Sequence, residues 1–169
     1  MVLDWIKLPA YDTVVIDGKS TGIESPCGFD DKALGRVRAE QIKQIISQYR
    51  PRLVLADHAP QGKHRELVPA LQVDGPERPL WVLGVHGVVG SVAQTGSEQA
   101  IDLYRRYYSK LLWYGDSGVL GTEHKQSLNI RFDTEVVECG YFSRLIEQIS
   151  YTQPPGGRQH GCTISIPWS

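Results

Sequence analysis

Asp57-His58 and His86 are the residues of this chain whose types and setting best suit acid–base or hydroxyl-binding chemistry. A carboxylate can orient an imidazole, and both groups can hold sugar hydroxyls or, with the imidazole charged, stabilise a phosphate. Each follows a short apolar run: Leu53 to Ala56 breaks into Asp57-His58, and Leu80 to Val85 breaks into His86-Gly87. Such breaks deliver polar groups to the carboxyl edge of a parallel sheet, where ligands bind. Two neighbouring strands ending this way would set His58 and His86 on one rim. Adjacent residues on an extended backbone point to opposite sides, so only one of Asp57 and His58 is expected to face the cleft. A purely structural role for Asp57, capping a helix or bonding loop amides, has equal weight. Gly62 in the turn after His58, Gly87, Asp116 after Tyr114-Gly115, and Tyr141 after Gly140 extend the candidate rim.

Other patterns carry less. Gly18-Lys19-Ser20-Thr21 has the second half of a phosphate-binding loop, but Thr13 stands where the first glycine is needed and Gly22 follows in place of an apolar helix, so a surface loop is expected. No third ligand is spaced to make His58 and His86 a metal pair, and no cofactor is expected. Tyr104, Tyr107, Tyr108, Trp113 and Tyr114 form an aromatic-rich patch that reads as core before it reads as a stacking surface. His64, His124 and His160 are expected to be exposed without partners. No nucleophile elbow or reactive-cysteine context is present.

The elements that must position these residues alternate. Leu3 to Leu8 and Thr13 to Ile16 are short extended candidates separated by Pro9, with a loop from Gly18 to Gly28. Asp30 or Asp31 caps a helix to Tyr49 whose Leu34, Val37, Ile42, Ile45, Ile46 and Tyr49 recur at three-and-four spacing. Pro51 ends it, and a strand buried on both faces runs to Ala56. Lys63 to Leu71 reads as a helix limited by Pro69, and Leu80 to Val85 as a second buried strand. Thr95 and Glu98 resemble a capping box for a helix carrying Ile101, Tyr104, Tyr108 and Leu111, followed by a strand ending near Tyr114. Glu135 to Cys139 is a further strand. Pro154-Pro155-Gly156-Gly157 is a linker, and Thr163 to Ile166 a strand cut short. This alternation predicts an α/β fold, a Rossmann-like three-layer parallel sheet with helices on both faces. Residues 1–150 form the domain, and 151–169 the linker and the start of a second, truncated one.

Composition narrows the partners. The chain has 169 residues, 41% of them hydrophobic and 22% charged, an ordinary balance for one globular core. Lys and Arg number 18 against 19 Asp and Glu, a formal charge of -1, so no basic excess calls for nucleic acid. Cys27, Cys139 and Cys162 form neither a disulfide framework nor a metal motif, which predicts a reduced, cytoplasmic compartment. No apolar stretch is long enough for a transmembrane segment.

Successive blocks carry a resemblance: Asp4-Trp5-Ile6-Lys7-Leu8-Pro9, the capped helix from Asp31, Val54 through Lys63 with Glu66-Leu67, Leu83 through Val89, and Tyr114-Gly115-Asp116. Over roughly Leu3 to Tyr141 the chain resembles the predicted glycosyltransferases of the GT-B fold, distantly similar to the transferase that adds N-acetylglucosamine to the peptidoglycan lipid precursor. In that fold two Rossmann-like halves face each other, one holding the acceptor and the other the nucleotide-sugar donor. The resemblance implies an incomplete amino-terminal, acceptor-type half, in which the first strand and its Gly-rich catalytic loop have no counterpart. It implies a sugar or lipid-linked acceptor bound by Asp57, His58, Gly62, His86, Gly87, Asp116 and Tyr141, no catalytic residue of its own, and no activity alone. A nucleotide-sugar-binding partner chain or a homo-oligomer is the expected company. Two other readings stay open: a non-catalytic Rossmann-like binding or scaffold module, or product of a truncated gene, and a stand-alone hydrolase using Asp57 and His58.

Overall fold

The computed structural model describes residues 6–11, 13–16, 19–22, 28–76, 78–87 and 97–140. Strand β1 (Thr13–Ile16) pairs antiparallel with β2 (Lys19–Gly22), Thr13 opposite Gly22. The loop expected from Gly18 onward therefore holds a strand. The sequence sign was Asp17-Gly18, a dipeptide favoured in two-residue hairpin connections.

Helix α1 (Asp31–Tyr49) begins at Asp30, whose carboxylate accepts from the Ala33 amide at 2.6 Å. It ends at Arg50 in the left-handed conformation, with Pro51 beyond. Strand β3 (Leu53–Asp57) follows, then a 3-10 turn at Lys63–Arg65 and the short α2 (Val68–Leu71). The single helix expected from Lys63 to Leu71 is divided because His64 and Arg65 both have positive φ, which no α-helix sustains. Pro69 falls in the first turn of α2, where its missing N–H costs nothing.

Strand β4 (Leu80–His86) leads to α3 (Glu98–Tyr107), capped by Ser97, whose hydroxyl accepts from the Ala100 amide at 3.2 Å. Thr95, the expected cap, lies outside the described residues. Strand β5 (Tyr108–Tyr114) starts immediately, so Tyr108 and Leu111 sit on a strand and not on the expected helix. Pairing of Tyr108 with Trp81 in the sheet takes them from the helical pattern. Short α4 (Ser117–Leu120), α5 (Glu123–Phe132) and β6 (Val136–Glu138) complete the described chain.

The fold is α/β and Rossmann-like. Its main sheet has the order β3-β4-β5-β6, all parallel, following the chain without reversal. Right-handed crossovers between strands that advance in one direction bring their helices to one face. The buried cluster agrees: Ala70 and Leu71 of α2, Tyr104 of α3, Phe132 of α5 and Ile46 of α1 join Ala56, Trp81, Leu83, Val85, Leu111, Trp113 and Val136 from the strands. In register, these strand residues share one face of the sheet.

The second face carries Leu53, Leu55, Leu80 and Val137, all exposed, around a buried Val82. Helices were expected on both faces; the described helices that join the buried cluster do so on one. Strand β4 is buried through Trp81 to Val85 as its continuous apolar run predicts. Strand β3 differs from its expected double burial. Among the described strands it is the edge of the sheet; only its Ala56 is buried, and Leu53 and Leu55 stand in the open. The linker at 154–157, the expected strand at 163–166 and the proposed boundary at 150 lie outside the described residues.

Candidate functional site

Three strands end together at one rim. Asp57 closes β3, His86 closes β4 opposite Tyr114, and Tyr114 closes β5. Asp57 pairs with Gly84, so its side chain lies on the same face as His86, one pleat along. The His86 Nε2 is 3.1 Å from Asp57 Oδ1 and 3.3 Å from Oδ2. A proton on Nε2 is donated to the carboxylate and leaves Nδ1 as an acceptor for a ligand hydroxyl. Both side chains are open to solvent, 47% exposed for His86 and 67% for Asp57, so the pair does little for stability and is available to a ligand.

His58 joins them through its backbone. Its φ of 71° breaks the extended path, its amide donates to the Gly84 carbonyl at 2.7 Å, and its ring centroid comes to 5.9 Å from that of His86. The alternation rule that sent Asp57 and His58 to opposite sides fails here because the strand ends at Asp57 and His58 is left-handed. Asp57 thus finds its imidazole on the neighbouring strand and not beside it in the chain.

Tyr114 packs edge-on to His86, ring centroids 5.5 Å apart. It also lies over Gly84, in the space a Cβ there would take. Burial, with help from the nearby Asp57 carboxylate, pushes its phenol above the usual tyrosine range. The rim therefore presents a carboxylate, two imidazoles and a protonated phenol. The aromatic-patch reading expected this tyrosine to be core; its position opposite His86 is visible only in the register.

The other expected residues serve the backbone around this group. Gly62 has φ 69° and donates to the Ala59 carbonyl at 2.9 Å in the turn after β3. Gly87 donates to the Tyr114 carbonyl at 3.2 Å, and a Cβ on it would meet the Gly115 Cα at 3.0 Å. Asp116 caps α4 by accepting from the Gly118 amide at 2.7 Å. Tyr141 lies outside the described residues. Glu138, at the end of β6, accepts from the Ser117 amide at 2.6 Å and hydroxyl at 2.7 Å and from Lys125 at 3.2 Å, which together hold its carboxyl below the usual range.

Two anchors hold the loop between Asp57 and Leu67. Tyr108, buried, donates to the Pro60 carbonyl at 2.7 Å. Glu66, 8% exposed, receives the Arg38 guanidinium through Nε and Nη2 and the Tyr11 hydroxyl at 3.0 Å. Arg38 also donates to the Pro9 carbonyl, tying residues 9–11 to α1. The Tyr11 ring carries the Lys63 ammonium 4.4 Å and the Arg38 guanidinium 4.8 Å from its centroid. His64, expected to be partnerless, is 3.2 Å from Asp31 and packs on Tyr11, because its left-handed backbone folds it back against α1. His124 is exposed on α5, and His160 lies outside the described residues.

Among the described residues no group of three His, Cys, Asp or Glu side chains could hold a metal ion. No described helix is long and apolar enough to cross a membrane. Cys139 is a free thiol among the described residues. A cavity of about 370 Å³ lies away from the rim, between Ile6 and Leu8 and the Gln41, Gln44 and Ile45 side of α1, and offers mainly apolar walls. Comparison with protein-family models, with curated proteins and with solved structures finds no match.

Proposed function

We propose that this chain is the acceptor-binding part of a sugar transferase, one that moves a sugar from a nucleotide-sugar donor to an acceptor hydroxyl. The observation that supports it best is the Asp57–His86 pair at the carboxyl ends of adjacent parallel strands, with His58 and Tyr114 against it. Glycosyl transfer needs an acceptor hydroxyl held in line with the anomeric carbon and polarised as its proton leaves. An imidazole oriented by a carboxylate, on an open shelf, suits the first part of that task. Stabilising the leaving diphosphate requires cations or helix dipoles directed at it, and in this proposal they come from a donor-binding half. The resemblance to GT-B glycosyltransferases points the same way.

Titration calorimetry with sugars and lipid-linked acceptors tests the reading. Binding of one acceptor class, weakened tenfold or more by His86→Ala at unchanged thermal stability, is expected. Failure of every acceptor to bind, or binding indifferent to His86→Ala, would count against it. The second reading, a binding or scaffold module, is favoured if an acceptor binds yet no transfer follows with nucleotide-sugar donors and a donor-half polypeptide present.

A further inference from the structure

Among the described residues strand β3 has one neighbour, β4, and its other side is the edge of the sheet. Two backbone bonds establish which of its groups face β4: the His58 amide donates to the Gly84 carbonyl at 2.7 Å, and the Arg52 carbonyl accepts from the Leu80 amide at 3.0 Å. Residues 52, 54, 56 and 58 therefore turn their backbone groups inward. Leu53, Leu55 and Asp57 direct theirs outward, away from the sheet. The same two leucines are 56% and 51% exposed on the open face, and Leu80, in register with Leu53, is 53% exposed. A backbone edge and an apolar strip thus run side by side along one strand, with only Arg52 and Asp57 as charges at its two ends.

We propose that this edge is the interface between two copies of the chain, joined as an antiparallel β3–β3 pair about a two-fold axis through Val54. The strand is self-complementary in that register. Leu53 lies opposite the partner's Leu55 and exchanges both backbone hydrogen bonds with it, and the symmetric pair repeats this. An axis normal to the sheet keeps the two open faces continuous, so the two Leu53–Leu55–Leu80 strips merge. The register one step along, centred on Leu55, would set Leu53 against the partner's Asp57 and waste the apolar match. In the favoured register Pro51, which has no amide to give, falls opposite the partner's Asp57 and ends the ladder there. The Asp57 carboxylate stays free for His86, so the interface and the polar rim are compatible. This proposal is independent of the sugar-transferase reading.

Sedimentation velocity of the full chain from about 1 to 200 μM tests it, spanning the range expected of a short interface. A concentration-dependent dimer is expected, with the dissociation constant raised at least tenfold by Leu55→Lys. A monomer throughout, or a dimer indifferent to Leu55→Lys, overturns the proposal. Val54→Cys gives a second reading independent of that variant's folding. Val54 sits on the axis in a non-hydrogen-bonded pair, where Cα atoms approach to ~4.5 Å, within disulfide range. Mild oxidation should produce a disulfide dimer beyond the background of the parent chain with Cys27, Cys139 and Cys162; no such dimer overturns the register.

Discussion

The His86 Nε2 lies within 3.3 Å of both Asp57 carboxylate oxygens, across two strands that are 29 residues apart in the chain. Because Asp57 and His86 are both open to water, their attraction contributes no more than about 1 kcal/mol to folding, and in the proposed function the pair serves acceptor binding. Asp57→Asn should therefore leave urea-unfolding midpoints nearly unchanged while lowering acceptor affinity about tenfold, one hydrogen bond to a charged group being worth about 1.5 kcal/mol. A fall in stability with intact affinity would show that the pair is structural.

Gly84 leaves room for Tyr114. A Cβ at this position would occupy the space of the phenol, so Gly84→Ala must swing the ring off the sheet. The obstructing atoms are the far end of a side chain, so the fold should survive at a cost of about 1 to 2 kcal/mol. The rim, however, loses the edge contact between Tyr114 and His86. Differential scanning calorimetry together with acceptor titration should show a modest shift in melting temperature and a disproportionate loss of binding.

Glu66 joins α1, residues 9–11 and the loop that leaves β3. Glu66→Gln keeps the shape but removes the charge that receives Arg38 and raises the guanidinium pKa further. The expected loss is about 2 kcal/mol in denaturant unfolding, in the range of hydrogen bonds to charged groups. Hydrogen exchange of the amides from Ala59 to Leu67 should accelerate first. Uniform acceleration over the whole sheet would place the role of Glu66 elsewhere.

Trp81 is fully buried at the centre of the cluster, and its indole N–H has no hydrogen-bond partner among the described residues. Trp81→Ala should cost about 3 to 5 kcal/mol through the cavity it leaves. Trp81→Phe removes the unsatisfied donor along with part of the ring, and the two effects oppose each other, so it should cost less than about 1.5 kcal/mol. Equal losses from the two substitutions would show that the site cannot close around the smaller ring.

Stability should fall at both ends of the pH scale for different reasons. Hydrogen bonds from Ser117 hold Glu138 below its unfolded value of 4.5, so its contribution is present above 4.5 and disappears as pH falls through the lower folded value. Glu138→Gln should flatten the acid limb. Burial raises Tyr108 and Tyr114 above their unfolded value of 10.0, so their contribution is intact below 10.0 and is lost as pH rises toward the folded values. Urea midpoints measured at pH 3 to 11 for the parent, Glu138→Gln and Tyr108→Phe check both limbs; an acid limb unchanged by Glu138→Gln removes this assignment.

Much of the scaffold could be read along the chain. The periodic Leu34, Ile42 and Ile46, the Asp30 cap and Pro51 delimit α1 because each acts within a few residues of its own position. The uninterrupted run Leu80 to Val85 is a central strand as its apolar character predicts, buried from Trp81 to Val85. Leu53 to Ala56 has the same apolar character and became an edge, since a strand's rank in the sheet depends on what pairs with it. Likewise Tyr108 was taken from helix to strand by its pairing with Trp81.

The sequence by itself determined that Asp57, His58 and His86 follow apolar strands, and hence that polar groups gather where those strands end, because hydrophobic runs and turn residues act locally. Only the tertiary structure decided who meets whom. Strand register put Asp57 against His86, the left-handed backbone of His58 turned its ring back to the same rim, and the missing side chain of Gly84 let Tyr114 lie beside them. Those contacts join residues far apart in the chain, and their geometry depends on one-residue steps in pairing that no local pattern specifies.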